Sequence, residues 1–141
     1  MATRGLPLWP HLDAEADALP AAESLVLEAM RAWAAGPAPL PAAALVLAAE
    51  GAEGLAMPLD ALLRTAGVTP ACRLCPRVAL EEAVLLAALG LAQHGERSPA
   101  LAVLGRIAAP LPAYRAMAAL LPLAHGLRRL GLFFRHPFRR Q

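Results

Sequence analysis

The chain has no lysine and no asparagine, one isoleucine (Ile107), two serines (Ser24 and Ser98), and no carboxylate after Glu96. Each absence excludes something. Period-two runs of Val, Ile, Thr and aromatics are missing, so little is available to build a sheet, whereas the abundant alanine and leucine favour helix. Neither serine is placed for nucleophilic catalysis, because Ser98 before Pro99 reads as a helix cap. No glycine-rich phosphate loop, H-E-x-x-H or calcium loop occurs. Two cysteines three residues apart are not an extracellular disulfide framework. The thirteen basic residues are all arginine, a bias that codon supply at high GC content also produces.

Membrane-spanning runs are scarce as well. The opening stretch, Met1 to Pro10, has one arginine and no apolar core of secretory-signal length. The longest uncharged run, Ala32 to Ala49, is 18 residues, but Gly36, Pro37, Pro39 and Pro41 interrupt it, and an interior proline costs a helix about 3 kcal/mol. Arg106 and Arg115 cut the later apolar stretches. These features predict a soluble, cytoplasmic protein, with peripheral attachment at the inner membrane face as a variant.

What the chain does have is a division of charge. Residues 1–96 carry eleven acids against five arginines, and the last forty-five residues carry eight arginines, so the formal net charge of +2 hides a dipolar molecule. A one-signed surface attracts partners of opposite sign over about a Debye length, ~8–10 Å.

At 141 residues the chain fits one domain. Prolines and glycines punctuate it into helical pieces. The first is predicted over 20–35, with Ala22, Leu25, Val26, Ala29, Met30 and Trp33 as its apolar face and Glu23, Glu28 and Arg31 off that stripe. Further helices are predicted over 41–50, 58–66, 77–94, from Ser98-Pro99 to Pro110, and from Pro112 to about Leu132, where Pro122 should kink the last. The expected fold is all-α: a compact bundle of five to six helices in a single domain, with a flexible N-terminus over 1–18 and a basic tail over 133–141. A shift of 59 residues places Glu23 on Glu82, Leu27 on Leu86, Gly36 on Gly95, Leu45 on Leu104, Leu62 on Leu121 and Gly67 on Gly126. Two tandem three-helix units, 20–67 and 79–126, would account for this. The stretch Val84 to Pro112 also resembles a tetratricopeptide unit in its small Ala88 and Ala100, Leu104 and closing Pro112, which implies an α-hairpin scaffold; the 59-residue period and missing aromatics depart from that family.

Two constellations bear on function. Cys72-Arg-Leu-Cys75-Pro76 presents two sulfurs at a spacing that can share one tetrahedral zinc, although His11, His94, His125 and His136 supply no recognisable metal spacing. Arginines flanking the pair would favour thiolates, which makes a redox switch the other use, and inert thiols are the plainer reading. The second constellation is the C-terminal end, Arg128, Arg129, Phe133, Phe134, Arg135, Phe138, Arg139 and Arg140, where all three phenylalanines interleave with arginines. Such a segment suits an acidic protein surface, an anionic membrane, or, less well at a net charge of +2, nucleic acid. The plainer reading folds Phe133 and Phe134 back to close the core. Glu81 and Glu82 are adjacent, point about 100° apart on a helix, and read as a favourable first turn. Glu23 reads likewise. His94 and His125 read as helix-end residues, and Trp9 and Trp33 as core.

The sequence therefore predicts a non-enzymatic helical interaction or adaptor module that binds an acidic protein partner, or a second copy of itself, through the basic Phe/Arg-rich end. The alternatives are a small metal- or redox-responsive regulator built on Cys72 and Cys75, and a peripheral membrane-associated helical protein. No acid, base and nucleophile converge along the chain, which argues against an enzyme, and zinc is the one cofactor the residues suggest.

Overall fold

The computed structural model describes residues 10–138; Trp9, Arg139 and Arg140 lie outside them. Six α-helices follow in order: α1 Ala21–Ala35, α2 Pro39–Ala48, α3 Ala56–Ala66, α4 Leu80–Gln93, α5 Arg97–Leu104 and α6 Pro110–Arg129. Short 3-10 turns precede α1 and α3. The fold is a compact all-α bundle. Among the described residues no helix is long and apolar enough to cross a membrane.

Helix α4 is the centre. Every residue from Glu82 to Gln93 is buried, as expected for a helix that is apolar around its whole circumference. Its small Ala83, Ala87, Ala88 and Gly90 let neighbours approach from several sides. α5 and α6 pack on it closely and α1 touches it, while α1 packs on α2 and α3 lies along α6. The buried residues of α6, Ala113, Ala116, Ala119, Leu120, Leu123, Ala124 and Leu127, form a single face of helical period. That face meets Leu59, Leu62 and Leu63 of α3 within one continuous core. Gly126 allows a close approach in the same seam, because a Cβ there would collide with the Leu55 side chain.

Helix starts differ from expectation in one consistent way. Pro41, Pro58, Pro99 and Pro112 each occupy the third helical position, not the first. The first turn's N–H groups have no intrahelical acceptor, so proline fits anywhere in that turn. Consequently Ser98 lies inside α5 and caps nothing: the cap position is Glu96. Helix α4 starts later than expected, at Leu80 rather than Arg77, because the Glu82 carboxylate accepts the Ala79 N–H (2.9 Å) and fixes the cap there. Helix α6 runs through Pro122 to Arg129. Pro122 gives the carbonyl of Ala118 no N–H, and both residues face solvent, where water can supply a donor.

Helices α1 and α4 begin 59 residues apart, α2 and α5 58, and α3 and α6 54. Gly67 ends α3 in the left-handed region (φ 69°), whereas Gly126 lies within α6 and ends nothing.

The N-terminal stretch expected to be flexible is tied down from Asp13 onward. Asp13 N donates to Val78 O (3.0 Å), Val78 N to Ala14 O (2.9 Å) and Ala16 N to Pro76 O (2.8 Å), with Glu15 and Arg77 in an isolated antiparallel bridge.

Leu89 is fully buried in the middle of α4. Leu89→Ala should lower the unfolding free energy by about 2–5 kcal/mol with helicity kept, read as an earlier urea midpoint; an unchanged midpoint would contradict α4 as the core.

Candidate functional site

Two regions gather the residues singled out by the sequence. The first is the C-terminal segment after α6, which runs across the C-terminal end of α4. Its side chains alternate in burial: Phe134 and His136 are buried, Phe133 and Arg135 exposed. Polar groups of the helical body grip its backbone. Gln93 Nε2 donates to Leu132 O (2.8 Å), and Phe134 N donates to Gln93 Oε1 (2.7 Å). His94 Nε2 bonds Phe134 O (3.1 Å); a carbonyl only accepts, so this nitrogen carries the proton. Arg135 N donates to Glu23 Oε2 (3.1 Å). Within the body, Arg128 Nη1 of α6 donates to Gln93 O (2.8 Å) and so steadies the residue that holds the segment.

His136 completes the attachment. Phe138 N donates to its Nδ1 (3.1 Å), which leaves Nε2 as the donor to Glu96 Oε2 (2.8 Å). Its ring meets that of His94 edge-on, with centroids 5.2 Å apart.

Of the residues expected to face a partner, Arg128, Arg129, Phe133, Arg135 and Phe138 are exposed. Phe133 stands out at 62%. Phe134 is only 3% exposed and belongs to the core, so it anchors the segment and offers no contact surface. His94 serves this segment and not the carbonyls of its own helix; His125 lies exposed within α6.

Glu23 is 1% exposed, and its Oε1 has no hydrogen-bond partner among the described residues. It sits in the first turn of α1, as expected, but its work is to hold the C-terminal segment. Burial pushes the nearby His11 imidazole below its ordinary value; the Glu23 carboxylate opposes that and Arg135 adds to it.

The second region is the loop between α3 and α4, which carries Cys72 and Cys75. Arg31, expected off the apolar stripe of α1, is instead 4% exposed and paired with Glu82 at 1%. Nε donates to Oε2 and Nη2 to Oε1, both at 2.9 Å. Two of the three remaining guanidinium protons go to loop carbonyls, Cys75 O (2.7 Å) and Arg77 O (2.9 Å). Glu82 also accepts Ala71 N (2.9 Å), besides Ala79 N. Burial pushes the Glu82 carboxyl up, but the hydrogen bonds from Arg31, Ala79 and Ala71 outweigh it and leave the group below its ordinary value. The bond to Glu82 holds the Arg31 guanidinium charged beyond its usual range, and Cys75 and Cys72 act in the same direction.

Cys72 is exposed and Cys75 half-buried, both as free thiols. Cys75 N donates to Cys72 O (3.1 Å), closing a tight turn, and Cys75 Sγ donates to Arg77 O (3.4 Å). Leu74, between them, is 92% exposed. A cleft of about 380 Å³ opens beside the loop, with Asp17, Ser24, Glu28, Arg31, Arg73 and Cys75 in its wall. No group of three His, Cys, Asp or Glu side chains that could hold a metal is found among the described residues.

Sequence reasoning missed Arg31, Gln93 and Glu23 as structural anchors. A signal existed for two of them: Arg31 is the only cation between Arg4 and Arg64, and Gln93 the only side-chain amide before Gln141. Trp33 was expected in the core and packs against it; it also donates Nε1–H to Asp60 (2.7 Å), beneath Arg64. Compared with protein-family models, curated proteins and solved structures, the chain shows no match.

Glu82→Gln strands the buried Arg31 charge and should cost about 3–5 kcal/mol at neutral pH. A carboxyl whose folded value is lowered stabilises above its ordinary 4.5 and loses that contribution as pH falls through the folded value. Urea denaturation at stepped pH should therefore show a fall below about 4.5 in the native chain that is absent in Glu82→Gln. The earlier loss below 6.5, due to His11, should persist in both.

Gly90 tests the segment's attachment. A Cβ there would lie 3.1 Å from Arg135 O and from Pro137 Cδ, although alanine favours a helix interior by about 1 kcal/mol. Gly90→Ala should leave the body folded while speeding tryptic cleavage after Arg135 several-fold; an unchanged rate would show that the segment shifts by the few tenths of an ångström the methyl needs without loosening.

Proposed function

We propose that this protein is a non-enzymatic helical interaction module of the cytoplasm, which binds an acidic protein surface through its basic C-terminal end. One observation carries the reading: Phe133 projects into solvent from a segment whose backbone is fixed on both sides of it, between exposed Arg128 and Arg129 and exposed Arg135. An exposed large aromatic held rigidly among cations loses little conformational entropy on binding, and Phe with Arg is the chemistry of interface anchors. From Arg97 onward the chain has no carboxylate to neutralise these arginines, which supports an acidic partner approached by electrostatic attraction. The acidic residues before Glu96 make a second copy of the chain one such surface.

Removing the whole segment would also remove Phe134 from the core, so point variants are the cleaner test. Phe133→Ser and Arg129→Glu alter exposed side chains and should leave the urea midpoint unchanged. In affinity capture from native lysate, the unaltered chain should retain a protein partner that moderate salt releases. Each variant should weaken that retention about tenfold or more, as for an anchor worth upwards of ~1.4 kcal/mol. Retention indifferent to both variants would move the function to the helical body. Pelleting with anionic vesicles, abolished by the same variants and without any protein captured, would replace the protein partner with a lipid surface.

A further inference from the structure

We propose that Cys72 and Cys75 form a dithiol that exchanges with small disulfides of the glutathione type, closing to a Cys72–Cys75 disulfide as the incoming disulfide is reduced. The proposal is independent of the C-terminal surface.

The backbone geometry suits the bond. Cys75 N donates to Cys72 O at 3.1 Å, which makes the tetrapeptide a hydrogen-bonded turn. Its end Cα atoms are then less than about 7 Å apart, overlapping the ~4.4–6.8 Å at which a disulfide closes. The turn is also held in place. Ala71, immediately before Cys72, is bound through its N–H to Glu82, and Cys75 is bound through its carbonyl to Arg31. Both ends of the C-x-x-C tetrapeptide thus hang from one buried ion pair, so the backbone spacing of the two cysteines is held by the core and not left to a free loop.

The two thiols differ in access. Cys72 is exposed, as an attacking thiol must be, and Cys75 is half-buried, as suits a resolving thiol. The adjoining cleft has Cys75 and not Cys72 in its wall, and reaches Cys72 through its neighbours Arg73 and Leu74; it has room for part of an incoming tripeptide disulfide. Arg73 in its wall matches the carboxylates of such a molecule, and Asp17 and Glu28 match its ammonium.

The exchange proceeds in two balanced steps. Cys72 gives up its proton and its sulfur attacks one sulfur of the incoming disulfide. That S–S bond breaks, a mixed disulfide forms on Cys72, and the expelled thiolate takes a proton. Cys75 then loses its proton and attacks Cys72 Sγ, expelling the second small thiolate, which is protonated in turn. Two protein thiols are oxidised and one disulfide is reduced to two thiols.

The test uses the full chain in buffers of varied glutathione to glutathione-disulfide ratio, with acid quench, alkylation and intact-mass analysis. The native chain should convert to a species lacking two hydrogens, with no accumulated glutathione adduct. Cys75→Ser should stop at an adduct on Cys72, and Cys72→Ser should form its adduct more slowly. Neither change touches a buried residue, and circular dichroism confirms that each variant is folded. The equilibrium constant for closure should be at least about tenfold larger in the folded chain than in the same chain in urea. The proposal is overturned if both thiols stay alkylatable across the whole range, if adducts accumulate on both cysteines, or if folded and unfolded constants agree. Stoichiometric zinc held by the two thiols through gel filtration would overturn it as well.

Discussion

Moving a guanidinium and a carboxylate out of water costs several kcal/mol per ion, and a pair is tolerated in a core only when its geometry is good and its remaining donors and acceptors are filled. Glu82 meets that condition in full and Arg31 at four of its five N–H groups. Each carboxylate oxygen accepts one bond from Arg31 and one from a backbone amide, while the guanidinium gives two further protons to loop carbonyls. The pair therefore joins α1, α4 and the loop between α3 and α4. The loop buries Val68 and Val78 near its two ends, and the ion pair holds the stretch between them, which carries an exposed leucine at its tip. The residues before α1 then pair with this loop, so the N-terminal stretch inherits its position from the same two side chains.

The C-terminal segment is secured by a different logic. Its contacts are almost all between side chains of the body and backbone of the segment, with Phe134 as the one deep apolar plug. Such an arrangement fixes the path of the chain while leaving the identities of the outward residues free. That is the condition under which Phe133 and its neighbouring arginines can be specialised for a partner without disturbing the fold.

Much of the architecture was legible in composition and punctuation. Alanine and leucine without strand-forming runs gave a helical bundle, and Pro20, Gly36 and Gly67 bracketed helices at the right places. Proline proved a coarser marker than it looked, since the whole first turn of a helix tolerates it; this misplaced Ser98 as a cap. Arg31 and Glu23 were misread because a helical stripe drawn from apolar residues alone cannot anticipate a charge whose partner lies 51 or 112 positions away. The same limit applied to the tail: a cluster of three phenylalanines looks uniform in sequence, but the anchored backbone buries Phe134 and leaves its neighbour Phe133 in solvent. The loop cysteines were found by their spacing, whereas the frame that holds them was invisible, being made by α1 and α4.

The bond between Glu23 and the backbone of Arg135 has a bearing on how the protein is made. Synthesis delivers a chain from its N-terminus while a domain folds as a unit, and here α1 cannot cover its buried carboxylate until a residue 112 positions later has been added. Until then the end of α4 and the start of α1 present unpaired polar groups and an empty seat for Phe134. A nascent chain is thus held one step short of its finished core, and a product that stops early remains recognisably incomplete to any chaperone or protease that samples that end of the bundle.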